Sequence, residues 1–230
     1  MAGIEFITAE VCPFAERTRL LLKEKGIQFT HTEVDREAKP DWFEVVSPYS
    51  KVPVLRSGED LVWESAVINE YIEETHPEPP MLPKAPGRRA LARFWIDFCN
   101  VKFVVTWYKA LLAQEAVEQE ALLDQLGEHM LFMERDGIAK SGDGSYWMGE
   151  DVGLVDFTFY PWFRRLPVMA HYRGFTLPPE CARLGAWAEE MGRRQSVRGV
   201  AHPPEFYIES AARYASGTAS GTTARDMRGA

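Results

Sequence analysis

The sequence predicts a small mixed α/β domain, βαβ then ββα, followed by an all-helical domain. Three observations predict it. From Ile4 to about Thr75 short elements of different type follow one another; five of the fifteen prolines then fall between His76 and Gly87; beyond them the apolar positions recur at helical spacing. Proline at that density neither continues a helix nor enters a central strand, so it makes a stiff connector. The expected organisation is an α/β domain over 1–76, a Pro-rich linker over 77–87, a helical domain over 88–214 and a disordered tail over 215–230, where "ASGTASGTTARDMRGA" is small and polar. No internal repeat is visible.

Taken in order, "IEFIT" reads as a strand, Pro13 to Lys25 as a helix closed by Gly26, and "QFTHTEV" as a second strand. A strand pair joined through a helix is parallel with a right-handed crossover. An irregular link follows. "VPVLR" and "LVW" flank the turn cluster "SGED" and read as a hairpin, which adds antiparallel strands to the sheet. Ser65 starts a helix in which Val67, Ile68, Tyr71 and Ile72 share a face. In the second half, helices are expected over Arg88 to Gln114, Val117 to Ile138, Leu154 to Val168 and Cys181 to Arg194.

A chain of 230 residues buries a proper core without disulfides. Its three cysteines, Cys12, Cys99 and Cys181, are odd in number and widely spaced, which fits neither a disulfide framework nor a paired-cysteine zinc site, so no metal is expected. That usage suits a reducing compartment. No basic segment precedes a long apolar run at the N-terminus, and no membrane-length apolar run follows, so a cytoplasmic protein without membrane contact is expected. Thirty-four acidic residues against 26 basic ones give a charge of −8, which repels phosphate backbones and argues against a nucleic-acid partner. The local basic cluster Arg17, Arg19, Lys23 and Lys25, interleaved with Glu16 and Glu24, reads as a solvated helix face.

The residues that carry chemistry begin with "AEVCPFAERTRLLL". Pro13 suits the first turn of a helix, which puts Cys12 at or just before the helix N-terminus. Free N–H groups and the positive end of the helix dipole favour an anion there, and a thiolate is the nucleophilic form of cysteine. A two-cysteine redox motif would place its second thiol at position 15, which is Ala15, so a disulfide formed at Cys12 is resolved by a thiol from outside. The alternative is a small hydrophobe in a packed corner. Cys99 in "FWIDFCNVKF" and Cys181 after two prolines read as structural.

"CPFAERTRLLLKEKGI", then "KPDWF", "KVPVL" and "ESAVINEYIEE", in that order and at those intervals, resembles the glutathione-binding domain of the cytosolic glutathione transferases, and within them the omega class. The resemblance implies a thioredoxin-like fold for the α/β domain, glutathione as co-substrate, and a homodimer. Over the helical half it is looser, though "GLVDFTFYPWFRRL" is similar to the family's buried helix with its N-capping box. Here glycine, Gly153, stands at the cap with Asp156 in place, at little cost to the helix. Asp156 is expected to be structural.

Glutathione is an extended peptide with a carboxylate at each end and a thiol in the middle. The resemblance implies a cis bond before Pro53, leaving the Val52 backbone to pair with the cysteinyl part like an added strand. By itself Val52-Pro53 reads as an ordinary trans proline at a strand start. Ser65, placed as N-cap with Glu64 before it, matches the pair that holds the γ-glutamyl end, helix N–H groups taking its carboxylate and Glu64 its ammonium. Lys39 in "KPDWF" matches the lysine that faces the glycyl carboxylate, although a single surface lysine is ordinarily just solvated. Phe14 matches the aromatic beside the ligand, with plain core as its alternative. Phe103, Trp107 and Tyr108, at i, i+4 and i+5, are candidates to wall a second-substrate pocket, or equally to form core or dimer contacts.

A cysteine where many relatives carry serine or tyrosine changes the expected reaction. Hydroxyls hydrogen-bond the glutathione thiolate, whereas a cysteine thiolate attacks a glutathionyl sulfur and forms a mixed disulfide that a second glutathione resolves. The first expectation is thus thiol transfer or reduction of mixed disulfides, glutathionyl ketones or dehydroascorbate. A conjugating transferase, thioether-cleaving enzyme or dehalogenase is the second, and a non-catalytic binding or regulatory module on the same fold is the third.

Overall fold

Strand β1 (Ile4–Thr8) pairs in parallel with β2 (Phe29–Glu33) and antiparallel with β3 (Val54–Ser57). β3 in turn pairs antiparallel with β4 (Asp60–Trp63), so the sheet order is β2-β1-β3-β4. This computed structural model describes residues 3–35, 38–140 and 142–229, and the chain divides between Leu82 and Pro83 into two units. The parallel pair needs a crossover, and helix α1 (Pro13–Glu24) supplies it. Gly26, at φ 65°, lets the chain turn out of that helix, a conformation that costs a side-chain-bearing residue more.

The link between β2 and β3 is not wholly irregular, because it carries α2 (Asp41–Val46), six residues long and too short to show a helical period. Its Phe43 and Val46 pack with Ile7 and Val54 under one face of the sheet. Phe6 and Leu55, each one residue along its strand, point the other way and are fully buried. Helix α3 (Ser65–Thr75) lies against β3 and β4 and alongside α1.

The charged face of α1 is solvated only in part: Lys23 is exposed, but other members are not. Glu16, Arg17 and Arg19 are buried, because α1 lies beside α3 rather than in water. Arg19 pairs with Glu10 at 2.8 Å and donates to Thr8 Oγ1 at 3.1 Å. The Lys25 side chain has no exposed surface; its ammonium meets Glu73 at 2.8 Å and donates to the carbonyls of His76 and Pro79 at 2.7 Å each. Glu73 Oε1 in turn accepts the N–H groups of Met81 (2.8 Å) and Leu82 (3.1 Å). The Pro-rich stretch is therefore tied to the first unit as far as Leu82.

The second unit is helical. Its first long helix is interrupted: α4 (Pro86–Phe98) passes through a π-helical turn over Cys99–Phe103 into α5 (Val104–Leu112). Likewise α6 (Ala116–Phe132) ends in a π turn, Met133–Gly137. α7 (Leu154–Arg164) breaks at Arg165 and restarts as α8 (Leu166–Arg173). α9 (Ala182–Arg193), α10 (Gln195–Arg198) and α11 (Pro204–Ala215) follow. The tail expected to be disordered carries α12 (Thr222–Gly229), whose Ala224 packs with Ala219 and Leu112; Ala230 lies outside the described residues. Arg228 donates to the carbonyls of Ala219 (2.8 Å) and Gly217 (2.6 Å), which composition alone does not reveal. Among the described residues, no helix is long and apolar enough to cross a membrane.

α7 is the buried axis of this unit, with Leu154 to Phe163 all buried. Trp147 stacks on Phe159 with centroids 4.3 Å apart and meets Trp187 edge-on at 5.5 Å. Asp156, at the third position of α7, accepts three N–H groups: from Gly153 and Trp147 backbones at 2.8 Å and from Trp187 Nε1 at 2.7 Å. The helix start and two tryptophans thus share one carboxylate.

Asp156→Ala leaves three buried donors unpaired and is expected to cost about 3 kcal/mol, read from the urea midpoint. Burial pushes the Asp156 carboxyl up to about 6, against the pull of its three donors. A folded value above the unfolded one means that the native state holds the proton more tightly. The associated stability is fully present below the unfolded value of about 3.9 and is lost as pH rises through the folded one. The stability advantage over Asp156→Asn is accordingly expected to shrink by up to about 3 kcal/mol between pH 4 and pH 7. Urea melts of both proteins at the two pH values check it.

Candidate active site

Cys12 is the N-cap of α1 (φ −77°, ψ 116°), with Pro13 at the helix start. Its N–H donates to the Ala9 carbonyl and its carbonyl accepts the Glu16 N–H, both at 2.9 Å, so the corner is fixed by backbone before any side chain acts. The side chain is 6% exposed. Its Sγ donates to the Val52 carbonyl at 3.8 Å, and the Val52-Pro53 peptide bond is cis.

The segment before Val52 is tightly folded. Ser47 Oγ accepts the Lys51 N–H at 2.9 Å and donates to the Lys51 carbonyl at 2.8 Å. Ser50 sits at φ 51°, and the Lys39 ammonium reaches it twice, at 2.6 Å to its carbonyl and 3.1 Å to its hydroxyl. Lys39 is therefore a half-buried brace on the loop that presents Val52, rather than a solvated side chain.

At α3 the helix begins one residue earlier than the sequence suggests. Glu64 is the N-cap and Ser65 the first helical residue. Glu64 stands exposed at φ 64°, in the left-handed region, at a cost of about 1–3 kcal/mol for a residue with a side chain. Its carbonyl takes the first intrahelical bond, from Ile68 N–H at 2.8 Å. The buried Ser65 makes no cap; its hydroxyl accepts Arg17 Nη1 at 3.2 Å.

Arg17 is the residue that sequence reasoning missed. Its guanidinium also lies over the ring of half-buried Phe14, 5.2 Å from the centroid. The i, i+3 spacing of Phe14 and Arg17 is the signal that puts them on one face. The structure thus links Cys12 to Val52, Lys39 to the loop before Val52, and Phe14 through Arg17 to Ser65.

The aromatic trio of the second unit fares differently. Phe103 is fully buried, packed against Trp107 (6.0 Å), Phe159 (5.7 Å) and Phe163 (6.2 Å), so it belongs to the core and has no surface to offer a ligand. Trp107 and Tyr108 are nearly buried too, and Tyr108 meets Tyr214 of α11 at 5.4 Å. The spacing correctly puts them together but does not say that α7 and α11 cover them.

Residues 11–75 match the family model of the glutathione S-transferase N-terminal domain, and residues 109–190 that of the C-terminal domain. The chain belongs to the glutathione S-transferase family. Its mixed four-stranded sheet and following helical unit are the thioredoxin-like arrangement of these enzymes. Glutathione S-transferase U19 of Arabidopsis thaliana is 34% identical over 201 residues, 85% of this transferase and 88% of the relative. Among solved structures, glutathione transferase Omega 3C from Trametes versicolor superposes with a TM-score of 0.82 at 28% identity, covering 93% of this chain and 91% of that one. Rice GST1 in complex with glutathione gives 0.84 at 27% identity, covering 95% and 98%.

The three thiols of the transferase differ in setting. Cys99 is wholly buried with Sγ donating to the Thr158 carbonyl at 3.8 Å, and Cys181 is 1% exposed. Burial, with Glu134 and Glu180 nearby, pushes the Cys181 thiol up to about 11. Brief treatment of the native protein with iodoacetamide near neutral pH is expected to label Cys12 alone, and Cys99 and Cys181 only after denaturation. Peptide mapping by mass spectrometry reads the result.

Proposed function

We propose that this transferase is omega-like and uses Cys12 for glutathione-dependent thiol transfer. The observation that carries this reading is the position of Cys12 itself: a cysteine at the N-cap of α1, in contact with the carbonyl that precedes cis Pro53. A helix N-terminus is a position that favours an anionic group. The likeness to an Omega transferase and to a rice enzyme solved with glutathione supports it.

On this reading the Cys12 thiolate attacks the glutathionyl sulfur of a mixed disulfide. The Cys12–SG bond forms, the old S–S bond breaks, and the departing thiolate takes up a proton. A second glutathione thiolate then attacks the glutathionyl sulfur, releasing oxidised glutathione and returning the Cys12 thiolate. Glutathione is co-substrate and no metal takes part. The Val52 backbone pairs with the cysteinyl part, the Lys39 ammonium faces the glycyl carboxylate, and Phe14 flanks the ligand. Glu64 takes the γ-glutamyl ammonium, and Ser65 with the first turn of α3 takes its carboxylate. Trp107 and Tyr108 are kept as candidate contacts of the second substrate, and the enzyme acts as a homodimer in a reducing compartment.

Oxidised glutathione is expected to add one glutathionyl group to Cys12, reversible by dithiothreitol, and Cys12→Ser is expected to lose thiol transfer by about 10³-fold or more. An adduct confined to Cys99 or Cys181, or full thiol transfer by Cys12→Ser, rejects the reading. Undiminished conjugation of an aromatic electrophile by Cys12→Ser, with no thiol transfer by the unaltered protein, replaces it with a conjugating transferase.

A further inference from the structure

Arg17 is 1% exposed, an unusual place for a guanidinium. A guanidinium only donates hydrogen bonds. Since Arg17 Nη1 donates to Ser65 Oγ at 3.2 Å, the hydroxyl accepts there and its single O–H is left to donate in another direction. Accepting from a cation polarises a hydroxyl and makes it a stronger donor. At the first residue of α3 that O–H stands beside the N–H groups of the helix's first turn, where an anion is favoured. A buried cation behind the helix start adds to the same field with little screening. One residue further along α1, Thr18 Oγ1 donates to Asn69 Oδ1 at 2.8 Å, which holds the two helices in register around the Arg17–Ser65 contact. Arg17 also keeps Phe14 in place beneath its guanidinium.

We propose that Arg17 is a positioning residue that aims the Ser65 hydroxyl at the γ-glutamyl carboxylate of glutathione and strengthens its hold. The proposal rests on the glutathione reading above and extends it to a residue with no surface of its own in the site. Arg17 acts through Ser65, on ligand binding and not on the sulfur chemistry at Cys12.

The test is a double-mutant cycle of Arg17→Met and Ser65→Ala, with Arg17→Lys as the conservative variant and circular-dichroism melts as the check on folding. Affinity for S-methylglutathione, which carries both carboxylates but no reactive thiol, is measured by calorimetry, and turnover with a glutathionylated peptide gives kcat at saturating glutathione. Arg17→Met and Ser65→Ala are each expected to weaken S-methylglutathione by about tenfold, the loss of one charge-assisted hydrogen bond. The double variant is expected to lose no more than either single one, Arg17→Lys to recover part of the loss, and kcat of the Arg17 variants at saturating glutathione to stay within about twofold. Unchanged affinity in a folded Arg17→Met, or losses that simply multiply in the double variant, overturns the proposal. Should Arg17→Met not fold, Arg17→Lys completes the cycle with Ser65→Ala, and an additive result there overturns it equally. Absence of S-methylglutathione binding by the unaltered protein rejects the glutathione reading and this proposal together. Binding by the unaltered protein with no effect of the Arg17 variants rejects this proposal alone.

Discussion

The first unit depends on a polar seam buried between two helices. Arg17 meets Ser65, Thr18 meets Asn69 and Lys25 meets Glu73. Taking a guanidinium and an ammonium out of water costs several kcal/mol each unless partners replace the lost hydration. Lys25 solves this with three partners in hydrogen-bonding range, one carboxylate and two carbonyls. Such contacts contribute modestly to net stability when complete and are costly when broken. Their larger effect is on register. The steps from Arg17 to Lys25 and from Ser65 to Glu73 are both eight residues, so α1 and α3 run side by side in the same direction. Two helices arranged in that way bring their N-termini, with the caps Cys12 and Glu64, to the same end of the unit.

The second unit answers the same problem with one acceptor. Asp156 is fully buried and, among the described residues, has no cationic partner in hydrogen-bonding contact; three N–H donors from the start of α7, from Trp147 and from Trp187 stand in for water. Gly153 at the cap position offers no side chain, so the reach of Asp156 back to the Gly153 N–H is what closes this helix end. A carboxylate shared in this way ties a helix to a loop and to α9. It also explains how a helix with nearly every residue buried starts without an unpaired N–H at its cap.

What the sequence discloses, and what it does not, follows from the range of the forces involved. The Cys12-Pro13 corner, the Gly26 turn and the β3–β4 hairpin are local, set by φ preferences and missing donors, and they are readable residue by residue. Periodicity shows which residues share a face, but not what covers it. That is why Arg17 and Lys25 read as solvated when α3 and the Pro-rich stretch lie over them. Phe103 reads equally as a ligand wall or a core contact by the same token, since nothing in its own neighbourhood announces Phe159 and Phe163 some 56 and 60 residues on. The π turns at 99–103 and 133–137 leave no compositional mark. In the tail a polar composition hides two alanines that pack on Leu112.

Glu64 brings the local and the distant together. A glycine would take φ 64° without strain, and the exposed Glu64 carboxylate makes no capping hydrogen bond, leaving α3 only the modest benefit of a negative charge at its N-terminus. The strain is borne at a place where a negative group stands one residue from a hydroxyl backed by a buried cation. A negative charge and a positively biased helix start, separated by one residue, match a ligand end that itself carries both charges. The α-amino acid end of a γ-glutamyl group is such an end, and on the glutathione reading proposed above its ammonium faces Glu64 and its carboxylate Ser65. An isolated anion would be repelled by Glu64, and an isolated cation by Arg17 and the helix dipole. On that reading the pairing favours a zwitterion over either ion, a discrimination that neither the cysteine corner nor the cis proline provides.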